Sequence, residues 1–534
     1  MNKYLLIILS VTGGIISGFA WSSWCSGLVL LFSFVPFLLI ENHFFENSGK
    51  YRSTALFVYL FPGFIIFNVL TLGWIRVVSV TAAICVITGV AFIMSMILWL
   101  AHIVRIKAGN LPGFIAFITF WLAFEFLSLN TLYLSPWANL GNGLSKDILF
   151  IQWYEVTGVG GGSFWILSSN LFLTIFLVKA SGKMRRYKLF LWIWLAIIII
   201  PSAFSLIRYY TVTSSASGKN EVVIIQPNSD PYTEKFTVPF EIQLKNALSL
   251  AEKNLTETTD WVITPETTVD DPVNEEYLAE NKYIMMIKEF TRQYPGVSVI
   301  SGLVSSRLNY SKAKMPSDSS AVSDSSGYYP DYFNSAFKID TGETIGIYHK
   351  SKLVPGIEMQ FAAGLQKLLS KILPELGGTE WGYGTQKERT CFEHPQNKQT
   401  VAPIICYESV FGNYVAEYVR NGAETLFIIT NDGWWKNTNG YRQHLTYASL
   451  RAIETRRQVA RAANTGISCI IDIRGRRIQE TDWWTESVIR GDIGTEIKIT
   501  PYVRYGDFLL RVASVISIFI AIMVFIAIPL RKKL

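Results

Sequence analysis

The sequence is poor in the residues that hold metals and disulfides. Five cysteines and five histidines are spread over 534 residues. Cys25, Cys85, Cys391, Cys406 and Cys469 show neither CxxC spacing nor a regular framework, which argues against a structural zinc site. His43, His102, His349, His394 and His444 fall at no ligand spacing, so no metal is expected. Charge is scarce as well: 17% of the chain is charged and 50% is apolar, and the apolar residues are clustered, unlike those of an ordinary soluble enzyme. The formal net charge of +7 is largely accounted for by loops and a tail flanking apolar runs, and gives no reason to invoke nucleic acid.

What the chain has in abundance is membrane-length apolar sequence. A helix needs roughly 20 apolar residues to cross a hydrocarbon core of about 30 Å. Spans are read at Leu5 to Trp21, Leu28 to Ile40, Ala55 to Leu72, Val77 to Val104, Leu111 to Leu129, Gly158 to Val178, Leu189 to Ile207 and Val512 to Ile528. The expected organisation is a membrane domain over 1–208 with seven spans, a polar domain over 209–507, and a last span with a basic tail over 508–534. Lys3, Lys50, Arg52, Arg105, Lys107, Lys179, Lys183, Arg185, Arg186, Lys188, Arg531, Lys532 and Lys533 fall on the side of the N-terminus. Arg76 and Lys146 are the basic residues of the short loops opposite. The bias places the polar domain outside the cytoplasm, in the periplasm of a cell with two membranes. A signal peptide cleaved near Gly18 and Ala20 is the alternative reading of the first span, and it leaves this orientation unchanged.

From about Tyr209 to Asp507 the pattern changes. EVVIIQ, DWVIT, VSVISGL, SAFKID, TIGIYH, VAPIIC, TLFIIT and ISCIIDI are short β-branched runs. Helical patterns at Glu241 to Leu255, Tyr277 to Gln293 and His444 to Arg457 lie between them, an alternation expected of an α/β domain. The Ser-rich stretch 311–327 reads as a flexible insertion. Cys85, inside a span, and Cys469, in ISCIIDI, read as core residues; Cys25 and Cys391 are inert or paired.

Three residues carry the chemistry. Glu266 follows WVITP, Lys350 ends IGIYHK and Cys406 ends APIIC, so each projects from the C-terminal rim of a strand. Taken singly they are a surface carboxylate, a solvated lysine and a buried strand thiol. Together they supply a general base, a group that stabilises an oxyanion, and a nucleophile. A helix opened by the YESVFG after Cys406, with the nearby ammonium, would lower the thiol pKa from about 8.5.

These segments resemble a known family. PET at Pro265 to Thr267, HKSKLVPGIE at His349 to Glu358, CYES at Cys406 to Ser409 and NDGWW at Asn431 to Trp435 occur in the order shown by the nitrilase, or carbon–nitrogen hydrolase, superfamily. The members they resemble most are the membrane-embedded apolipoprotein N-acyltransferases, a likeness that extends to SPWANLGN near Trp137 and to the run beginning RQHLTYASL. The resemblance implies a polytopic helical membrane domain of about eight spans and an extracytoplasmic αββα sandwich. Glu266, Lys350 and Cys406 would be the triad. Glu358 and Glu408 would support it by holding the Lys350 ammonium, Tyr407 and Trp434 would line the pocket, and the Tyr407 backbone N–H would be a second oxyanion donor. Phe236, where some relatives carry Trp, and GIEMQF after LVP depart from the pattern.

The implied reaction moves an acyl group from a phospholipid, typically phosphatidylethanolamine, to Cys406, and then to the α-amine of a diacylglyceryl-cysteine apolipoprotein, with no cofactor. A membrane setting suits substrates whose chains cost about 0.8 kcal/mol per CH₂ to expose. Leu365, Leu368, Leu369, Ile372 and Leu373 form an apolar helical face suited to a bilayer surface, and Trp434 and Trp435 suit an interfacial anchor or gate. Glu125, within FWLAFEFLSL, reads as a structural intramembrane hydrogen bond. The alternatives are a membrane-anchored amide or nitrile hydrolase and a non-catalytic membrane protein.

Overall fold

The computed structural model describes residues 1–131, 134–182, 187–214, 218–309, 329–359 and 382–527. The apolar face over Leu365 to Leu373 and the Ser-rich stretch 311–327 lie outside the described residues. By backbone packing the chain forms two compact units: Met1–Val212 with Asn437–Glu454 and Thr500–Leu534, and Thr213–Lys436 with Thr455–Ile499.

The first unit is a helical bundle. Gly27–Glu46, Ser53–Val77, Val80–Ala108, Asn110–Asn130, Tyr154–Ser181, Tyr187–Thr211 and Phe508–Ile526 are long and apolar enough to cross a membrane, and Lys3–Phe19 is a shorter apolar helix. Each expected span therefore has its helix. Small residues let the helices approach: a Cβ on Gly14 would sit 2.2 Å from the Gly63 carbonyl oxygen, so this crossing excludes any larger residue. Cys85 is exposed on the surface of its helix rather than in the core. Glu125 is fully buried and accepts a hydrogen bond from the Leu140 N–H at 2.8 Å, fixing the short 3₁₀ segment Leu140–Leu144.

One helix of this unit comes from the α/β part of the sequence. Residues 439–454 of the helix Asn439–Thr455 group with the apolar helices, and two of its side chains are hydrogen-bonded there. The Trp137 indole donates to Gln443 Oε1 at 2.6 Å, and the Tyr447 hydroxyl donates to the Trp137 carbonyl at 2.8 Å. The SPWANLGN and RQHLTYASL segments, far apart in sequence, thus meet in one buried network.

The second unit holds two sheets. The first contains β1 (Lys219–Gln226), β2 (Thr259–Ile263), β3 (Val269–Asn274), β4 (Ser298–Asn309), β5 (Tyr329–Ile339), β6 (Gly346–His349) and β13 (Ser487–Gly494), in the order β13-β1-β2-β4-β5-β6 with β3 also on β4. The other contains β7 (Phe392–Glu393), β8 (Thr400–Ile405), β9 (Thr425–Thr430), β10 (Val459–Ala463), β11 (Cys469–Ile471) and β12 (Arg477–Glu480), in the order β12-β11-β10-β9-β8-β7. Strands β1, β2 and β4, and β8, β9 and β10, run parallel. Apart from β10, which carries Arg461, they contain near-continuous apolar runs because both their faces are covered. Trp261 of β2 packs edge-on against Phe427 of β9, with ring centroids 5.4 Å apart, and joins the two sheets. Helices Phe240–Glu252 and Lys282–Gln293 cover the first sheet through Leu244, Ala247, Ile284 and Ile287. Helix Gly412–Arg420 follows the second sheet's β8, with Val415 and Tyr418 buried. Among the described residues all five cysteines are free, including Cys25 and Cys391.

Candidate active site

Parallel strands end on one rim, and β2, β6 and β8 each deliver one residue of the trio there. Beyond β2, the Thr264 N–H still bonds the Ile300 carbonyl at 2.9 Å, and Pro265 then ends the ladder. The turn that carries Glu266 lies against β4 at Gly302, where a Cβ would come within 2.6 Å of Glu266 Cα and of Thr267 N. Thr267 itself has φ 45°, a left-handed conformation that β-branched residues avoid. Lys350 leaves β6 with its N–H bonded to the Asn334 carbonyl of β5 at 2.8 Å. Cys406 turns out of β8 with φ 49°, and a 3₁₀ turn over Cys406–Val410 follows. Strain at such positions costs about 1–3 kcal/mol and persists where the surroundings enforce it.

The three side chains converge and are buried. Lys350 Nζ donates to Glu266 Oε1 and to Glu358 Oε1, both at 2.8 Å. Asn334 Nδ2 donates to the same two oxygens at 2.8 and 2.9 Å. The Asn431 N–H reaches Glu266 Oε2 at 3.1 Å, and the Val354 N–H reaches Glu358 Oε2 at 2.8 Å. The Cys406 thiol lies within hydrogen-bonding reach of Glu266 and of Thr430. Glu358 and Glu266 thus share the Lys350 ammonium.

Glu408 does something different from the expectation. It touches the backbone on either side of the site, accepting from the Ile405 N–H at 2.9 Å and the Ser351 N–H at 2.7 Å, and from the Tyr348 and Tyr414 hydroxyls at 2.6 Å each. One carboxylate thus ties the segment before Cys406 to the segment after Lys350. Burial pushes Glu408 above the ordinary carboxylate range, although these donors oppose the rise.

Electrostatics also departs from the expectation of an acidified thiol. Burial, and next the Glu266 carboxylate, push Cys406 well above the ordinary thiol range, and Lys350 opposes them. A five-residue 3₁₀ turn offers little of the dipole a long helix would bring. Burial would raise Glu266, but the Lys350 ammonium together with hydrogen bonds from Lys350, Asn334 and Cys406 holds it below its usual range. Lys350 loses from burial and gains more from Glu266 and Glu358, so it stays charged. The resting site is a neutral thiol beside a carboxylate whose charge is shared with an ammonium. Moving the proton from sulfur to Glu266 leaves the net charge unchanged and places a thiolate near Lys350.

Of the remaining named residues, Tyr407 is buried with its ring edge-on to Phe411 at 5.1 Å. Trp434 is half-buried, its carbonyl bonded by the Tyr232 hydroxyl at 2.7 Å and its ring 6.3 Å from that of exposed Phe236. Sequence reasoning missed Asn334, which bridges both carboxylates from the middle of β5, and the buried ion pair of Asp432 with Arg461. Among the described residues no cluster of His, Cys, Asp and Glu is suited to a metal.

Comparison with known proteins finds two family models in this chain. A family model described as the apolipoprotein N-acyltransferase N-terminal domain matches residues 13–172, and one described as carbon-nitrogen hydrolase matches residues 298–498. A protein from Chlorobaculum tepidum named apolipoprotein N-acyltransferase is 26% identical over 527 residues, 96% of this chain and 96% of its own. One of the same name from Thermotoga maritima is 26% identical over 552 residues, 96% of this chain and 93% of its own. Nit3 of Saccharomyces cerevisiae, a solved structure described as a member of the nitrilase superfamily, covers 53% of this chain and 93% of its own, with 13% identity and a TM-score of 0.37.

Proposed function

Because this chain belongs to the apolipoprotein N-acyltransferases, within the carbon–nitrogen hydrolase superfamily, we propose that Cys406 carries the acyl group which the enzyme places on lipoproteins. It is an acyltransferase of lipoprotein maturation and a multi-pass membrane protein. In the first step Glu266 takes the thiol proton as sulfur attacks the ester carbonyl of a phospholipid. The Lys350 ammonium and the Tyr407 backbone N–H receive the oxyanion. Collapse of the adduct breaks the C–O bond, the glyceryl oxygen takes the proton from Glu266, and a lysophospholipid leaves. In the second step the α-amine of a diacylglyceryl-cysteine attacks the thioester. Glu266 accepts the amine's proton and returns it to sulfur. Dividing one transfer into two lowers each barrier.

The observation that carries this reading is the buried contact of Glu266 with both the Cys406 thiol and Lys350. Phosphatidylethanolamine is the proposed donor. The cation bias of the loops supports an inner-membrane location with the catalytic part facing the periplasm. The test uses purified protein in vesicles of acyl-labelled phosphatidylethanolamine, given a diacylglyceryl-cysteine peptide with a free or an acetylated amine. Label is expected in the free-amine peptide and not in the blocked one. Equal release of free fatty acid with either peptide would instead indicate a hydrolase.

A further inference from the structure

Lys235 belongs to none of the motifs above. It lies in the loop between β1 and the helix Phe240–Glu252 and is 3% exposed. Its ammonium donates to Thr267 Oγ1 and stands 3.4 Å from Asp270 Oδ2. A buried ammonium needs a countercharge, and Asp270, itself mostly buried, supplies it. Thr267 is the residue after Glu266 and the one whose backbone is left-handed. Its neighbours in the turn are fixed by other bonds: Gly302 N–H and the Thr268 hydroxyl both donate to the Pro265 carbonyl, at 3.1 and 2.9 Å. The Thr267 side chain is held by Lys235. A narrow cavity bordered by Lys235, Thr267 and Glu266 puts this contact beside the carboxylate.

We propose that Lys235 is a positioning residue for the general base: its ammonium clamps Thr267 in a conformation that residue would otherwise leave, and so aims the Glu266 carboxylate at the Cys406 thiol. The proposal rests on the assignment of Glu266 as base. Burial keeps Lys235 from meeting lipid directly, so its influence passes through the turn.

The test compares first-turnover acylation of Cys406, followed by quenched mass measurement over a series of phosphatidylethanolamine concentrations. The variant K235M/D270N removes both buried charges and leaves no uncompensated carboxylate. Its acylation rate at saturating lipid is expected to fall by about tenfold to a hundredfold, the scale of a small misplacement of a reacting group, with the half-saturating lipid concentration unchanged. Adding T267G, which takes a positive φ without strain, is expected to return most of the lost rate. A raised half-saturating concentration with an unchanged maximal rate, or no recovery with T267G, would overturn the proposal. If the double variant does not purify, K235R with and without T267G is read in the same way, because the longer, planar guanidinium cannot take the buried ammonium's place without displacing Thr267 or Asp270. E266Q separates the two claims: wild-type acylation in E266Q would remove the base assignment itself, whereas its loss alongside the T267G outcome bears on the clamp.

Discussion

The Cys406 thiol stands beside the Glu266 carboxylate in a site whose net charge does not change when the proton moves between them. The rise at Cys406 has a direct consequence: iodoacetamide should alkylate it slowly at pH 7, with the rate climbing only well above the ordinary thiol pKa of about 8.5. Mass-resolved alkylation across pH measures this, and a plateau reached below pH 7 would reveal a resting thiolate instead. The ion pair has a defined window. Glu266 is depressed, so its contribution is full above the ordinary carboxylate pKa of about 4.3 and disappears as pH falls through the lower folded value. Lys350 is raised, so its contribution is full below about 10.4 and disappears as pH rises through the folded value. The trio could be read from sequence because each member ends an apolar run. Asn334 could not: it sits within a strand in a segment without motif character, and its role exists only because β5 lies beside β6.

At the scale of elements, the site depends on two devices that bring strand ends together. Gly302 lets the Glu266 turn lie on β4, and Gly302→Ala would drive a methyl into backbone at 2.5 Å. Glu408 joins the segments of Cys406 and Lys350. Glu408→Ala strips the acceptor from two backbone N–H groups and from the Tyr348 and Tyr414 hydroxyls, one of which can still donate to the other, at about 1–3 kcal/mol for each donor left buried without a partner. A loss of at least about 3 kcal/mol in thermal unfolding is expected, with Glu408→Gln milder because it keeps an acceptor oxygen. Equal melting of Glu408→Ala and the parent would refute the bridging role. The strands that alternate or run apolar were legible, but β3, β7, β10, β12 and β13 were not. VDDPVN carries two acids and a proline, VARAA a buried arginine, and RIQE is exposed throughout. Their pairing comes from neighbours rather than from their own pattern.

For the whole molecule, the spans were legible because hydrocarbon thickness sets helix length. The placement of Asn439–Thr455 was not, since its mixed polar and apolar sequence does not say which neighbours will bury it. The same unit contains a buried ionic cluster that hydropathy could not locate: Glu41 is joined to Arg105 and, at 2.8 Å, to His102, and Arg105 also bonds Asn42 and Asn110. Arg105→Ala would leave the buried Glu41 carboxylate with His102 as its partner and without its strongest countercharge, a loss of up to about 3–5 kcal/mol. A lowered melting temperature in detergent, with Cys406 acylation retained in the surviving protein, is the expected outcome. An unchanged melting temperature would assign the cluster no structural weight.

The central claim is that sulfur at position 406 holds the acyl group between donor and acceptor. Intact mass of the protein after exposure to phosphatidylethanolamine vesicles measures this directly. One added acyl group, mapped to Cys406, absent from Cys406→Ala and discharged by an amine-bearing diacylglyceryl peptide, is the expected result. Transfer to that peptide by Cys406→Ala at the parent's rate, or an adduct on another residue, would contradict it.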